Sequence, residues 1–242
     1  NLVSNMRINQ NKLIWLKMAS AIMTTDTKPK VAYSEIKLGD KIIRIAGVAK
    51  GSGMIAPNLA TMFSFIFTDA DISSAVLNKY LNKVLSNTFN AITVDSDTST
   101  NDMVAIFATR KTKNKKLNII SSKEALKFEK ALGTVCHDLS KQIVVDGEGA
   151  KKFITVKIIN SETVERAKNI AFSIANSPLI KTAVAGEDPN WGRILMGIGK
   201  SGEKIDSKKI IIKLGEFIVA ENGKISDSYD EEKLQEYMKW DS

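Results

Sequence analysis

The stretch of this chain best suited to chemistry runs from Lys50 to Phe65, Lys-Gly-Ser-Gly-Met-Ile-Ala-Pro-Asn-Leu-Ala-Thr-Met-Phe-Ser-Phe. Gly51 and Gly53 relax the backbone, while Pro57 removes an amide donor and drives Ala56 toward an extended conformation. An apolar run rich in aromatic and β-branched residues, Met62 to Phe67, follows and reads as a strand. The junction falls at Ala60-Thr61. A hydroxyl placed where an irregular loop enters a buried strand can attack the peptide carbonyl just before it. Addition of the Thr61 Oγ to the Ala60 carbonyl would move the acyl group from nitrogen to oxygen, and water would then release it. Thr61 becomes a new amino terminus. Its α-amine has a reference pKa of about 7.7–8.0, so it can take the proton of its own hydroxyl near neutral pH. That is the threonine version of the nucleophile–base pair. By spacing alone the same residues also fit a Gly/Pro turn feeding a strand, with Thr61 a hydrogen-bonded hydroxyl at the strand start.

The elements that must hold this junction follow from patterning. Residues from about 6 to 20 read as helix, followed by a short buried run, Ala21-Ile-Met23. Thr24, Thr25, Asp26 and Thr27 then read as turn and capping residues before Pro29. Residues 36–38 and 41–48 read as a hairpin around Gly39-Asp40. Asp69 to Asp71 are expected to cap a helix running to Phe89. Ile92-Thr-Val94 reads as a short strand entering the acidic loop Asp95–Asp102, and Met103 to Ala108 as another. Ser121-Ser-Lys-Glu124 makes a capping box for a long helix with Ala125, Phe128, Leu132, Val135, Leu139 and Ile143 on one face. Beyond Val144–Ala150, the pattern predicts a strand at 153–159, a helix at 161–176 and a strand at 179–185. A loop at 186–190, a short helix from Trp191, a hairpin at 210–219 and a final helix at 230–240 complete the chain. Two long amphipathic helices among many strands predict an α+β layered sandwich.

Composition narrows the function classes. The 242 residues are 43% apolar and 26% charged, enough for one sizeable core. No run approaches the ~18 apolar residues of a membrane span, and no leader-like segment opens the chain, so a cytoplasmic location is the default. The single Cys136 excludes a disulfide framework and a cysteine metal cluster. The single His137 cannot supply the usual zinc site and reads as a packing or surface residue. A net charge of +8 and a pI near 9.4 bring nucleic acid into question. Yet only Arg7, Arg44, Arg110, Arg166 and Arg193 are arginines. The local lysine cluster, Lys111–Lys116, reads as a solvated loop or hairpin tip, and no stripe interleaves basic with aromatic residues. Nucleic acid is not the expected partner.

Lys50-Gly-Ser-Gly-Met-Ile, continued by Pro57-Asn-Leu-Ala-Thr61-Met, resembles the self-processing junction of the bifunctional ornithine acetyltransferase/N-acetylglutamate synthase family of arginine biosynthesis. Three more segments resemble that family in the same order: Ala21-Ile-Met-Thr-Thr-Asp-Thr27, Thr93-Val-Asp-Ser-Asp-Thr-Ser-Thr-Asn-Asp102 and Ala185-Gly-Glu-Asp-Pro-Asn-Trp-Gly-Arg193. Together they run through most of the chain. The resemblance implies an αββα sandwich of the self-processing, N-terminal-nucleophile type. It also implies a cut between Ala60 and Thr61, with residues 1–60 the C-terminal part of an α chain and 61–242 a β chain. The implied reaction takes acetyl from N2-acetylornithine onto Thr61 and passes it to glutamate, with neither metal nor organic cofactor. Some members also accept acetyl-coenzyme A as donor.

By the same resemblance, Lys50 binds a substrate carboxylate, Glu148 pairs with a substrate amine, and Thr24 or Thr25 lines the substrate site. Taken alone, Lys50 is also a surface lysine before a loop, and Glu148 a turn carboxylate among glycines. Asp188, Asn190 and Arg193 read as a structural turn and salt bridge. The cut pieces are expected to stay associated and to pair into a heterotetramer. The family draws its oxyanion donors from an upstream Thr-Gly pair and further site residues from its C-terminal end. Neither lies in this sequence, which therefore reads as lacking both ends.

Three alternatives carry different chemistry. Ile92-Thr-Val-Asp95-Ser-Asp97-Thr-Ser resembles the strand-plus-DxD nucleophile motif of a magnesium-dependent haloacid dehalogenase-type phosphotransferase, with Asp188 as a late magnesium ligand. The motif sits mid-chain, and Ser99 replaces the expected Thr or Val. The same loop lacks the sixth-position glycine and terminal glutamate of a calcium EF-hand. A self-processing aminopeptidase or amidase would keep the fold and pass the acyl group to water. A non-catalytic binding or assembly fragment is the third.

Overall fold

The computed structural model describes residues 12–56, 62–98 and 101–239. They belong to two compact units, Asn1–Gly149 and Ala150–Ser242, each considered by itself. The first holds helix α1 (Lys12–Ala21), strands β1 (Lys30–Leu38), β2 (Lys41–Lys50) and β3 (Phe63–Thr68), helix α2 (Ser74–Leu85), strand β4 (Met103–Ala108) and helix α3 (Lys123–Val145). The sheet order is β1-β2-β3-β4, with the first two pairings antiparallel and the last parallel. A hairpin turn with Gly39 at φ +63 joins β1 to β2, a conformation that glycine adopts without strain.

Alternation along the strands sends Ile66 and Phe67 to opposite faces of the sheet. On the Ile66 face lies α3, whose Phe128, Leu132, Leu139 and Ile143 are fully buried with Ile43 and Ile45. A Cβ on Gly47 would come within 2.8 Å of Leu139 Cδ1, so glycine lets α3 approach β2 closely. On the other face, Trp15 of α1 meets Phe67 edge-on at 5.5 Å, and Phe67 stacks on Phe107 at 5.2 Å.

The second unit holds α4 (Val164–Ala175), α5 (Pro178–Ala185), α6 (Trp191–Gly199), a three-stranded sheet β5 (Ile211–Leu214), β6 (Phe217–Glu221), β7 (Lys224–Ile225), and α7 (Glu231–Lys239). Its core gathers Ile170, Ile174, Ile180, Ile198, Ile212, Val219 and Leu234.

Several elements differ from expectation. The helix after β3 is capped by Ser73, whose Oγ accepts from the Val76 N–H, and ends at Leu85. Asp69 cannot cap it, because its carboxylate accepts from the Arg44 N–H at 2.8 Å and ties the chain back to β2. Ser122 rather than Ser121 caps α3. The N-cap of α4 is Thr163, two residues after Ser161. Residues 92–94 form no strand and follow a 3-10 turn at Phe89–Ala91. Residues 153–159 join no ladder among the described residues, although Val156 and Ile158 still pack against the second core. The largest correction is α5. Its apolar run was expected as strand, but Pro178 stands at the first helical turn, where its fixed φ suits a helix start.

Candidate active site

The hub is the loop from Gly51 to Ala56, which leaves β2 and leads into the junction. Three segments grip it, and one of them also holds the chain just past the junction. From the loop after α1, the buried Asp26 carboxylate accepts the Gly51 N–H at 2.6 Å. The same carboxylate meets the ammonium of Lys30 at 2.6 Å, and Lys30 reaches Asp146 at the end of α3, also at 2.6 Å. Asp146 accepts in turn from the Thr27 N–H at 3.0 Å and from the Thr27 hydroxyl. A lysine that is 1% exposed thus bridges two aspartates and locks the 24–27 turn to the end of α3. Burial alone would raise both carboxyls, but Lys30 and the amide and hydroxyl donors hold Asp26 and Asp146 below the usual carboxylate range.

The second grip is the Asp146-Gly147-Glu148 turn, where the Glu148 N–H donates to the Ser52 carbonyl at 2.7 Å. Glu148 leans over the loop: a Cβ on Gly53 would fall 2.7 Å from its Oε2 and 3.7 Å from Asp95 Oδ2. Gly147 is needed for a similar reason, since a Cβ there would meet the Val144 carbonyl at 2.9 Å and Val94 at 3.1 Å.

The third grip is Asp95. Its Oδ2 accepts from the Met54 N–H at 2.6 Å and its Oδ1 from Ile55 at 3.0 Å, while Asp97 N–H adds a turn bond at 3.2 Å. Val94 N–H closes onto the Ile55 carbonyl at 2.8 Å. Asp95 is therefore a clasp on the hub, where a phosphotransferase would present its carboxylate to substrate. Asp102, from the same acidic loop, accepts the Met62 N–H at 2.8 Å just past the junction. Burial raises the Asp102 carboxyl, with the Met62 bond and the positive charge of Lys50 opposing.

The predicted residues divide accordingly. Lys50, 5% exposed at the end of β2, holds its ammonium 5.1 Å from the centre of the Phe63 ring and donates to the Thr24 hydroxyl at 3.4 Å. Thr25 Oγ1 is 2.7 Å from Ser52 Oγ. Lys50, Thr24, Thr25 and Glu148 thus share the hub. Ala60 and Thr61 lie outside the described residues. Asp188, Asn190 and Arg193 belong to the second unit. There, Asn190 Nδ2 donates to Asp188 at 3.1 Å and Asn190 Oδ1 accepts from the Arg193 N–H at 3.1 Å, capping α6. The expected salt bridge is replaced: the Arg193 guanidinium donates to the Leu179 carbonyl at 2.7 Å and the Thr182 hydroxyl at 3.1 Å, bracing α6 on α5. His137 is exposed, and burial pushes the Cys136 thiol up to about 12, so it is inert packing.

Sequence reading missed Asp26, Lys30, Asp146 and Asp102 as site-building residues. Asp26 and Lys30 carried a local signal, opposite charges four positions apart in a stretch without helical pattern. The others join partners far away in sequence.

The description of the ArgJ family matches residues 1–242. The arginine biosynthesis bifunctional protein ArgJ of Mesorhizobium japonicum is 50% identical over 231 residues, covering 94% of this chain and 56% of that protein. Its namesake from Brucella suis is 45% identical over 241 residues, covering 98% of this chain and 58% of that one. The chain therefore spans a little over half the length of these relatives. A crystal structure of ArgJ from Bacillus halodurans matches with a TM-score of 0.70 at 39% identity, covering 73% of this chain and 83% of that chain. With that likeness, the fold class is the α+β αββα sandwich of the N-terminal-nucleophile type.

Proposed function

This chain belongs to the ArgJ family, and on that premise we propose that the protein carrying it moves acetyl from N2-acetylornithine to glutamate in arginine biosynthesis. One observation supports the reading above others. The 24–27 turn, the acidic loop and the Glu148 turn all converge on the loop that enters Ala60-Thr61, which the Lys50 ammonium at the end of β2 and the Glu148 carboxylate adjoin.

The proposed sequence begins with self-cleavage. Thr61 Oγ adds to the Ala60 carbonyl, the C–N bond breaks as the ester forms, and water hydrolyses that ester. The Ala60 carboxylate and the Thr61 amine are the products. In each later turnover the amine takes the hydroxyl proton as Oγ attacks the acetyl carbonyl of N2-acetylornithine. Ornithine leaves with that proton, and an acetyl-threonine ester remains. The amine of glutamate then attacks the ester, giving N-acetylglutamate and restoring Thr61. This is double-displacement covalent catalysis. Lys50 holds the substrate carboxylate, and Glu148 the side-chain ammonium of ornithine. Thr24 is the favoured hydroxyl contact because it already receives a hydrogen bond from Lys50, whereas Thr25 is engaged with Ser52.

Residues 1–60 would then belong to an α chain and 61–242 to a β chain, with paired pieces forming a heterotetramer in the cytoplasm. No membrane or nucleic-acid partner is needed, and acetyl-coenzyme A is a second donor to assay. None of the described helices is long and apolar enough to cross a membrane. The deciding experiment is the intact mass of the whole protein, wild type against Thr61→Ala. Two chains from the wild type, the second beginning at Thr61, and one chain from the variant are expected. A single wild-type chain after folding would sink the proposal. Labelled acetylornithine then separates transfer from hydrolysis: label in N-acetylglutamate supports the acetyltransferase, and label in free acetate an amidase.

A further inference from the structure

The parallel ladder between β3 and β4 ends in an unusual way. Its last regular pair is Phe63 with Met103. One residue earlier, the Met62 carbonyl still accepts the Met103 N–H at 3.1 Å. A residue's N–H and C=O point to the same side of a strand, so the Met62 N–H also faces β4. Among the described residues, no carbonyl of the neighbouring strand receives it. The Asp102 carboxylate does, at 2.8 Å, standing where the ladder would otherwise continue. On the other side, pairing with β2 also ends at Phe63, opposite Lys50. Met62 is thus fixed by its carbonyl to β4 and by its N–H to one side chain. That N–H belongs to the peptide group whose carbonyl is Thr61's own.

Asp95 completes the pattern. It belongs to the same acidic loop and holds the N–H groups of Met54 and Ile55 at 2.6 and 3.0 Å. The two carboxylates therefore tether the chain on either side of the Ala60-Thr61 bond.

We propose that Asp102 is a positioning residue for the nucleophile: by accepting the Met62 N–H it takes the place of a further ladder bond and holds the residue that directly follows Thr61 in the chain. Asp95 anchors the upstream end of the same segment. The inference rests on Thr61 being the self-cleaving nucleophile. Asp102 needs only an acceptor oxygen for this work, so the charge itself is dispensable.

The test uses the whole protein, following the time course of cleavage by intact mass and thermal unfolding in parallel. Asp102→Ala, which removes the acceptor, is expected to slow cleavage by at least about tenfold, the scale of penalty that small misplacement of a reacting group brings. Asp102→Asn keeps an amide oxygen at the same place and is expected to cleave within about threefold of wild type, as a positioning role on that scale requires. Rapid cleavage by a folded Asp102→Ala protein would overturn the proposal. So would an Asp102→Asn protein that melts like wild type yet cleaves as slowly as the alanine variant, because charge or proton transfer would then be the function. Should the alanine variant fail to fold, the asparagine variant alone decides by the same criterion. An uncut wild type takes down the nucleophile reading and this inference together, whereas a cut wild type beside an equally fast Asp102→Ala removes only the inference.

Discussion

At the residue scale, the most instructive position is one without a side chain. Gly53 lies under Glu148, and a methyl group there would stand 2.7 Å from Oε2. The atom it meets is the far end of a flexible side chain, so the carboxylate can swing away at little cost to the fold. The orientation toward a substrate amine that the proposed function gives it would be lost. Gly53→Ala is therefore expected to raise KM for acetylornithine by about tenfold, consistent with loss of one hydrogen bond to a charged group, while the melting temperature stays near wild type. Steady-state kinetics beside a thermal melt checks this, and an unchanged KM would remove Glu148 from the substrate site. The sequence displayed Gly53 and Glu148 as members of two glycine-rich turns but not their meeting. They are far apart in the chain, and their juxtaposition depends on α3 being long enough to return the chain to the end of β2. Asp95 shows the opposite problem. Its local pattern suggested a nucleophile, and only its amide partners at Met54 and Ile55 reveal a clasp.

At the scale of elements, the Asp26–Lys30–Asp146 bridge joins the turn after α1, the start of β1 and the end of α3. The Lys30 side chain is 1% exposed, that of Asp26 0% and that of Asp146 5%. Removing one partner from such a group strands the others. Lys30→Met should destabilise the protein by about 3–5 kcal/mol in denaturant titration. The pH dependence has a definite sign. Both carboxyls are held below their ordinary value in the folded chain. Their contribution is thus present above the unfolded carboxylate pKa, about 3.9, and is lost as pH falls through the folded values. Denaturant midpoints from pH 7 downward should show a loss in the acid range that is smaller in Asp146→Asn. The elements themselves were legible wherever the period was clear, as in α3, β4 and the turn of the β1–β2 hairpin. They were not where a local signal competes with a distant one. Asp69 looks like a cap but is claimed by the Arg44 amide, leaving Ser73 to start α2. In α5 a short apolar run fits either period, and the burial of Ile180 and Ala183, three apart, shows that Pro178 began a helix.

At the scale of the molecule, the proposed covalent cut and the compact units do not coincide. The units divide between Gly149 and Ala150. Cleavage at Ala60-Thr61 would fall inside the first unit, between β2 and β3, which are adjacent strands of one sheet. Six residue pairs, Ile45 with Thr68 through Lys50 with Phe63, join the two sides of the cut. Upstream β1 and β2 also lie under α3 from the downstream side, with Gln142 bonded to both the N–H and the carbonyl of Val31. Asp26 and Lys30 sit upstream, and Asp146 and Glu148 downstream. A cut at this place leaves the hydrophobic core and the site intact, because neither piece owns either. The two chains should therefore co-elute in native size-exclusion chromatography and separate only in denaturant. Refolding from denaturant should depend on protein concentration for the cut material and not for uncut Thr61→Ala, since mass action governs only separate chains. Pieces that separate without denaturant would show that the shared sheet does not hold them. Such behaviour would also conflict with a site assembled from both sides of the cut.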